Sequence, residues 1–114
     1  MTIEQTTSWI FLSIALGSQE SPITFSQISA IADGINHAVP NHKELQTSIS
    51  WLKQENLITQ TGKKYSISDF GKEIFKQAEK QKTIFNIWKN LENEFIKKNK
   101  TSPNRRLNTL PEAW

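Results

Sequence analysis

The chain has 114 residues, of which 36% are hydrophobic and 22% are charged, and these values are typical of one globular domain with a single modest core. It contains no cysteine, which excludes a disulfide framework and a thiolate zinc site. The net charge of +3 is uneven, because two lysines stand against five acidic residues up to Gly62, whereas twelve basic residues stand against six acidic ones from Lys63 onward. An anionic partner is therefore expected to be drawn to the C-terminal half.

The sequence predicts no contact with a membrane. Its longest apolar run, Trp9 to Leu16, is too short to span a bilayer, and the basic leader of a secretory signal is missing. We therefore expect a cytoplasmic protein.

The first part of the chain is predicted to form two helices. Ile3 to Leu16 has almost no polar face, so this helix should be covered on several sides, and Gly17 should end it. Ile23-Thr24 is a candidate for a very short strand. The second helix is predicted from Phe25 or Ser26 to Ala32, with Asp33-Gly34 as its stop.

The chain is organised around a third helix, predicted from Asn41 to Leu57. Asn41 is a good N-cap, and Glu44 stands where a capping box needs an acceptor. Apolar and small residues recur at helical spacing and predict one buried stripe: Leu45, Ser48, Ile49 and Leu52. The opposite face should present hydrogen-bonding side chains: Lys43, Gln46, Thr47, Ser50 and Gln54.

A short hairpin and a long last helix should follow. Ile58 to Gln60 and Lys64 to Ile67 alternate as strands, and Gly62 supplies the unusual backbone angle of the turn. The last helix is predicted from Phe70 to Lys98, although Thr83 is an alternative cap for a separate helix. We divide the chain into residues 1–80, a C-terminal helix at 81–100 and a tail at 101–114. The expected core of the first part contains Leu45, Ile49, Leu52, Tyr65, Ile67, Phe70 and Ile74.

The residues around the hairpin carry a resemblance to a known family. The pattern is leucine, four residues, leucine-isoleucine, then tyrosine, a small residue, an aliphatic, serine, two residues and glycine, found here as Leu52, Leu57-Ile58, Tyr65, Ser66, Ile67, Ser68 and Gly71. This pattern resembles winged helix-turn-helix transcriptional regulators of the MarR and PadR kind, from Ser8 to about Ala78. The stretch DGINHAVPNHKEL also resembles small bacterial winged-helix proteins of unassigned function. The resemblance implies a mainly α fold with a small β-hairpin, a winged helix-turn-helix with a long C-terminal helix.

The same resemblance implies a regulator that binds double-stranded DNA. The helix Asn41 to Leu57 would read the major groove, and the wing at Gly62 to Lys64 would contact phosphate. The implied DNA-binding residues are His42, Lys43, Gln46, Thr47, Ser50, Lys63 and Lys64. The helix has no arginine and its charges balance, so a winged-helix module that binds protein and not DNA is the alternative.

The apolar residues of the last helix predict a partner for it. Ile84, Trp88, Leu91 and Phe95 follow a 4-3-4 spacing, as in a helix-packing seam. We favour a homodimer, with Trp9, Ile84, Trp88, Leu91 and Phe95 in its interface. The alternative is that this helix folds back onto the first helix of its own chain. In the tail, Leu107, Leu110 and Trp114 are the expected anchors.

The sequence predicts neither an enzyme nor a cofactor. No nucleophile–base pair or glycine-rich phosphate loop stands out. His37 and His42 flank one loop, but a metal site needs three or four convergent ligands, so no metal is expected.

Overall fold

A computed structural model describes residues 1–80 and 83–101 of the chain. Within these residues the chain forms five α-helices and one two-stranded antiparallel sheet, so the prediction of a mainly helical protein with a small hairpin is confirmed. The elements are α1 (Ile3–Gly17), α2 (Phe25–Asn36), α3 (His42–Gln54), β1 (Ile58–Thr61), β2 (Lys64–Ile67), α4 (Asp69–Ala78) and α5 (Ile84–Thr101). The expected anchors Leu107, Leu110 and Trp114 lie outside the described residues.

Helix α1 is the centre of the fold, because α2, α3, α4, α5 and β2 all contact it. Its apolar residues are almost completely buried, as the lack of a polar face predicted: Trp9, Ile10, Phe11, Leu12 and Ile14. Each such side chain contributes about 1.5–3 kcal/mol when it leaves water. Two of its buried polar side chains are paired, since the Trp9 indole donates to the Ala32 carbonyl at 2.9 Å and the Thr7 and Ser48 hydroxyls bond each other at 3.1 Å.

Helix α2 runs past the predicted stop at Asp33-Gly34 and ends at Asn36. The predicted boundary was wrong because Ile35 is buried in the core, and glycine inside a helix costs only about 1 kcal/mol relative to alanine. His37 takes the left-handed conformation that ends the helix, with φ 54°, and its N–H donates to the Asp33 carbonyl.

Helix α3 begins as predicted and ends earlier. The Asn41 side chain accepts from the Glu44 N–H at 2.8 Å, and the Glu44 carboxylate accepts from the Asn41 N–H at 2.9 Å, which is the expected capping box. The helix ends at Gln54 rather than Leu57, because Asn56 adopts the left-handed conformation with φ 61°. The Leu57 N–H then donates to the Leu52 carbonyl.

The hairpin pairs Ile58 with Ile67 at one end and Thr61 with Lys64 at the other. Gly62 in its turn has φ 62°, a left-handed value that glycine adopts without strain. Ile23 adds an isolated antiparallel bridge, since its N–H and C=O both bond Tyr65, at 2.8 and 2.7 Å. This bridge ties the hairpin to the segment that leads into α2.

The long last helix was wrongly predicted as one element, because α4 ends at Ala78 and α5 starts at Ile84. The alternative was right in its detail, since the Thr83 hydroxyl accepts from the Asn86 N–H at 3.2 Å. Helix α5 folds back onto α1, and its Phe95 ring lies edge-on to Phe11 at 5.4 Å. Residues 84–101 therefore share one core with the first 80 residues.

The expected core residues are buried with one exception. Leu45, Ile49, Leu52, Tyr65, Ile67 and Ile74 are all buried, and Trp51 packs beside them, edge-on to Phe95 at 5.2 Å. Phe70 was wrongly placed in the core. It is 42% exposed, because it lies at the start of α4 with its ring 4.8 Å from the Lys98 ammonium.

Candidate functional site

The outward side of α3 is a continuous hydrogen-bonding surface. Six side chains occupy roughly a third of the helix circumference, and we call them the polar face of α3: His42, Lys43, Gln46, Ser50, Lys53 and Gln54. Gln46 and Ser50 are half-buried, and the other four are exposed. Four of the predicted DNA-binding residues therefore lie together on this face.

Thr47 is not on that face, and its predicted exposure was wrong. It is only 8% exposed, because α3 turns Thr47 and Trp51 toward the protein as well as the predicted stripe. Thr47 lines a small cleft between the first turn of α3 and the start of α1, together with Ile3 and Thr6. The apolar stripe alone could not predict the burial of Thr47, since threonine and serine are mostly exposed in folded proteins.

Lys53 is a member of the face that the DNA-binding prediction missed. Its ammonium donates to the Gln60 side chain at 2.6 Å, and the Gln60 amide donates to the Gly62 carbonyl at 2.7 Å. This chain of bonds links the end of α3 to the tip of the hairpin. Lys53 follows Gln46 by seven residues, so helical spacing was the available signal.

The hairpin tip carries Lys63 and Lys64, both exposed as expected. Phe25, at the start of α2, holds this region to α3, since its ring stacks on Tyr65 with centroids 5.3 Å apart and lies 6.5 Å from the His42 ring. Burial raises the pKa of the Tyr65 phenol above its ordinary value of 10.0. The polar face of α3, the first turn of α2 and the hairpin tip thus border one another.

The electrostatics of this region favour an anion. Lys43, Lys63 and Lys64 form no ion pair within the described part of the chain, and the ion pair between Lys72 and Asp69 lies on α4. Glu44 lies at the edge of the polar face, but its carboxylate is engaged in the capping box. Three free ammonium groups therefore stand on this side of the molecule.

The residues predicted for a dimer interface have a different role. Trp9, Leu91 and Phe95 are buried inside their own chain, at 1%, 0% and 0% exposure, and so were wrongly assigned to an interface. The cause is the fold-back of α5 onto α1, which the alternative interpretation described. Trp88 is half-buried, and its indole donates to the Gln5 carbonyl at 2.9 Å and to the Ser8 hydroxyl at 3.1 Å.

A small apolar patch remains at the start of α5. Ile84 is 40% exposed and Phe85 is 63% exposed, and the Phe85 ring stacks on Trp88 with centroids 6.4 Å apart. We call Ile84, Phe85 and Trp88 the α5 patch. Of the residues predicted for the interface, only Ile84 and Trp88 can still contact another molecule.

Neither a metal-binding cluster nor a membrane-spanning helix is found among the described residues. Residues 1–80 and 83–101 contain no group of three histidine, aspartate or glutamate side chains that could hold a metal ion. None of the five helices is long and apolar enough to cross a membrane.

Comparisons with known proteins give no relative for this chain. No family model matches it, and neither the curated proteins nor the solved structures contain a match. Its function must therefore be argued from the site itself.

Proposed function

We propose that this protein is a winged-helix protein that binds double-stranded DNA and regulates transcription. The order of three helices, hairpin and helix supports the proposal, since the resemblance implies the same order, and Ile23 adds an isolated bridge to the hairpin. In this proposal α3 enters the major groove, and the hairpin tip is the wing that contacts phosphate.

The observation that carries the proposal is the chemistry of the polar face of α3. Every side chain on it donates or accepts hydrogen bonds, and no large hydrophobic residue interrupts it. Amide and hydroxyl side chains such as Gln46 and Ser50 suit the edges of bases in the major groove, while lysines suit phosphate. The Lys53–Gln60–Gly62 bonds hold the wing in a fixed position relative to this face.

The charges predict weak binding by one chain. If Lys43, Lys53, Lys63 and Lys64 each neutralise one phosphate, the logarithm of affinity should fall with the logarithm of salt with a slope of about −3.6, at about −0.9 per phosphate. Binding to random duplex should then lie near the usual nonspecific range, with Kd about 10⁻⁴–10⁻⁶ M at physiological salt.

The test is fluorescence anisotropy with a random duplex over a range of salt. Replacing both Lys63 and Lys64 with alanine should weaken binding to every sequence and lower the slope by about two. The matched control replaces Lys72 and Lys76 on α4, which removes the same charge from another surface. Gln46→Ala should alter sequence preference in a selection from random duplexes. A wild type that binds no duplex at low salt refutes the proposal.

The α5 patch favours a second candidate, a winged-helix module that binds protein. Phe85 is the most exposed aromatic side chain in the described part of the chain, and aromatic residues are enriched at protein interfaces. This candidate is distinguished by Phe85→Lys, which should abolish protein binding and leave the anisotropy of duplex DNA unchanged.

A further inference from the structure

A cleft of about 390 Å³ lies beside the α5 patch, between the first turn of α1 and the first half of α5. It is lined by Gln5, Phe85, Trp88, Lys89 and Glu92. The cleft therefore joins two features of α5, an aromatic pair and a carboxylate, that the proposed DNA interface does not use.

The aromatic wall of the cleft is fixed to the core. Trp88 stacks on Phe85 and on the buried Trp9, with centroids 6.4 and 6.2 Å apart and interplanar angles of 27° and 28°. The Trp88 indole N–H is held by the Gln5 carbonyl and the Ser8 hydroxyl. Phe85 is the exposed end of this stack, at 63% exposure. A further planar group can therefore stack on a ring that is already held in place, which lowers the entropic cost of binding.

The second feature is Glu92, a half-buried carboxylate. It forms no ion pair or hydrogen bond with any described residue. Side chains on a helix lean toward its N-terminus, so Glu92 leans toward Trp88, one turn away. Lys89 also lines the cleft, but it is exposed, and its flexible stem can keep the ammonium in water. A carboxylate that has lost part of its hydration and gained no partner favours a cation in the cleft.

Arginine is the side chain that matches both features. Its guanidinium is planar and weakly hydrated, so it stacks on aromatic rings, and its paired N–H groups bind a carboxylate bidentately. A lysine ammonium is a strongly hydrated point charge that cannot stack in this way. An apolar side chain would cover the Glu92 carboxylate without pairing it, and an anion would be repelled by it.

We propose that this cleft binds an arginine side chain of a partner protein, with the guanidinium stacked on Phe85 and paired with Glu92. The inference rests on the second candidate function, to which it adds the chemistry of the partner, and it does not depend on DNA binding. One anchoring arginine suits the small area of the α5 patch, because a few aromatic and arginine side chains carry most of the binding energy of an interface.

The first experiment titrates the protein with the N-acetyl amides of arginine, lysine and citrulline and follows the ring resonances of Phe85 by NMR. Citrulline keeps the planar shape of arginine and lacks its charge. Lysine and citrulline should bind about three- to tenfold more weakly than arginine, because lysine loses the stack and citrulline loses the ion pair. Equal affinities for all three amides, or no shift with arginine, would overturn the proposal.

The second experiment repeats the titration with variants. Glu92→Gln should abolish the preference for arginine over citrulline and leave the affinity for citrulline unchanged. Phe85→Leu keeps an apolar side chain and should weaken arginine and citrulline alike. The matched control is Glu94→Gln, which removes the same charge from α5 outside the cleft and should behave as the wild type. A preference for arginine that persists in Glu92→Gln refutes the pairing.

Two further measurements separate this inference from the functions proposed above. If the N-acetyl amide of leucine moves the Phe85 resonances as strongly as arginine does, the arginine assignment is refuted, and the α5 patch survives as a general apolar surface for protein binding. Glu92→Gln should leave the anisotropy of duplex DNA unchanged, so failure of the arginine assignment leaves the DNA proposal intact. A loss of duplex binding in Glu92→Gln would instead place the cleft in the DNA interface and refute the inference.

Discussion

Replacing Gly71 with alanine is expected to destabilise the protein, although this glycine lies inside a helix where alanine is normally favoured. A Cβ atom at Gly71 would overlap the carbonyl oxygen of Leu57 and lie 2.8 Å from the Ile67 side chain. The same Leu57 carbonyl accepts the Ser68 N–H at 3.1 Å, next to the cap of α4. Relief of the overlap must therefore move backbone, which costs about 1–3 kcal/mol for overpacking and about 1 kcal/mol for the strained hydrogen bond.

The assay is thermal and urea unfolding followed by circular dichroism. A loss of about 2–4 kcal/mol should lower Tm by roughly 10–30 °C, since 1 kcal/mol shifts Tm by about 4–8 °C in a domain of this size. Gly34→Ala is the matched control, because no atom lies within 4 Å of its Cβ position in α2, and it should gain about 0.5–1 kcal/mol. If the Tm of Gly71→Ala equals that of the wild type, the close approach of α4 to Leu57, just before β1, is wrong.

Three further predictions concern the core, the phenol and the α5 patch. Leu52→Ala should cost about 2–5 kcal/mol in urea unfolding, and an unchanged midpoint would contradict its place in the core. Because burial raises the pKa of Tyr65 above 10.0, its contribution to stability is complete below pH 10 and is lost as pH rises through the folded pKa; Tyr65→Phe should remove this part of the alkaline loss. Any self-association in analytical ultracentrifugation should disappear in Phe85→Lys and persist in Phe70→Lys, since Phe70 is exposed on α4 outside the α5 patch.

The parts of the fold that the sequence predicted are those set by neighbouring residues. The capping box of Asn41 and Glu44 needs only a spacing of three residues, and it forms as predicted. The role of Gly62 was equally predictable from its neighbours. A tight turn between two short strands needs a residue with positive φ, and Gly62 has φ 62°. The face with Lys43, Gln46 and Ser50 followed from helical period alone.

The predictions were wrong where contacts between distant segments of the chain determine the structure. The end of α2 depends on Ile35 reaching the core, which outweighs the local preference of Asp33-Gly34 for a turn. Thr47 is buried because α1 lies beside α3, and its own chemistry gives no sign of this. The stack of Tyr65 on Phe25 depends on the bridge between Ile23 and the hairpin, which joins segments about 40 residues apart in sequence.

The fold-back of α5 changes how the proposed binding to DNA would be achieved. Leu91 and Phe95 stabilise the core of one chain, so they cannot also hold two chains together. The α5 patch consists of three side chains that can bury about 150–250 Å² each at most, and two of them are already partly covered. A stable interface buries about 800 Å² on each partner. The α5 patch alone is therefore too small for a strong dimer interface, so the proposed affinity for DNA would come mainly from the phosphate contacts of a single chain.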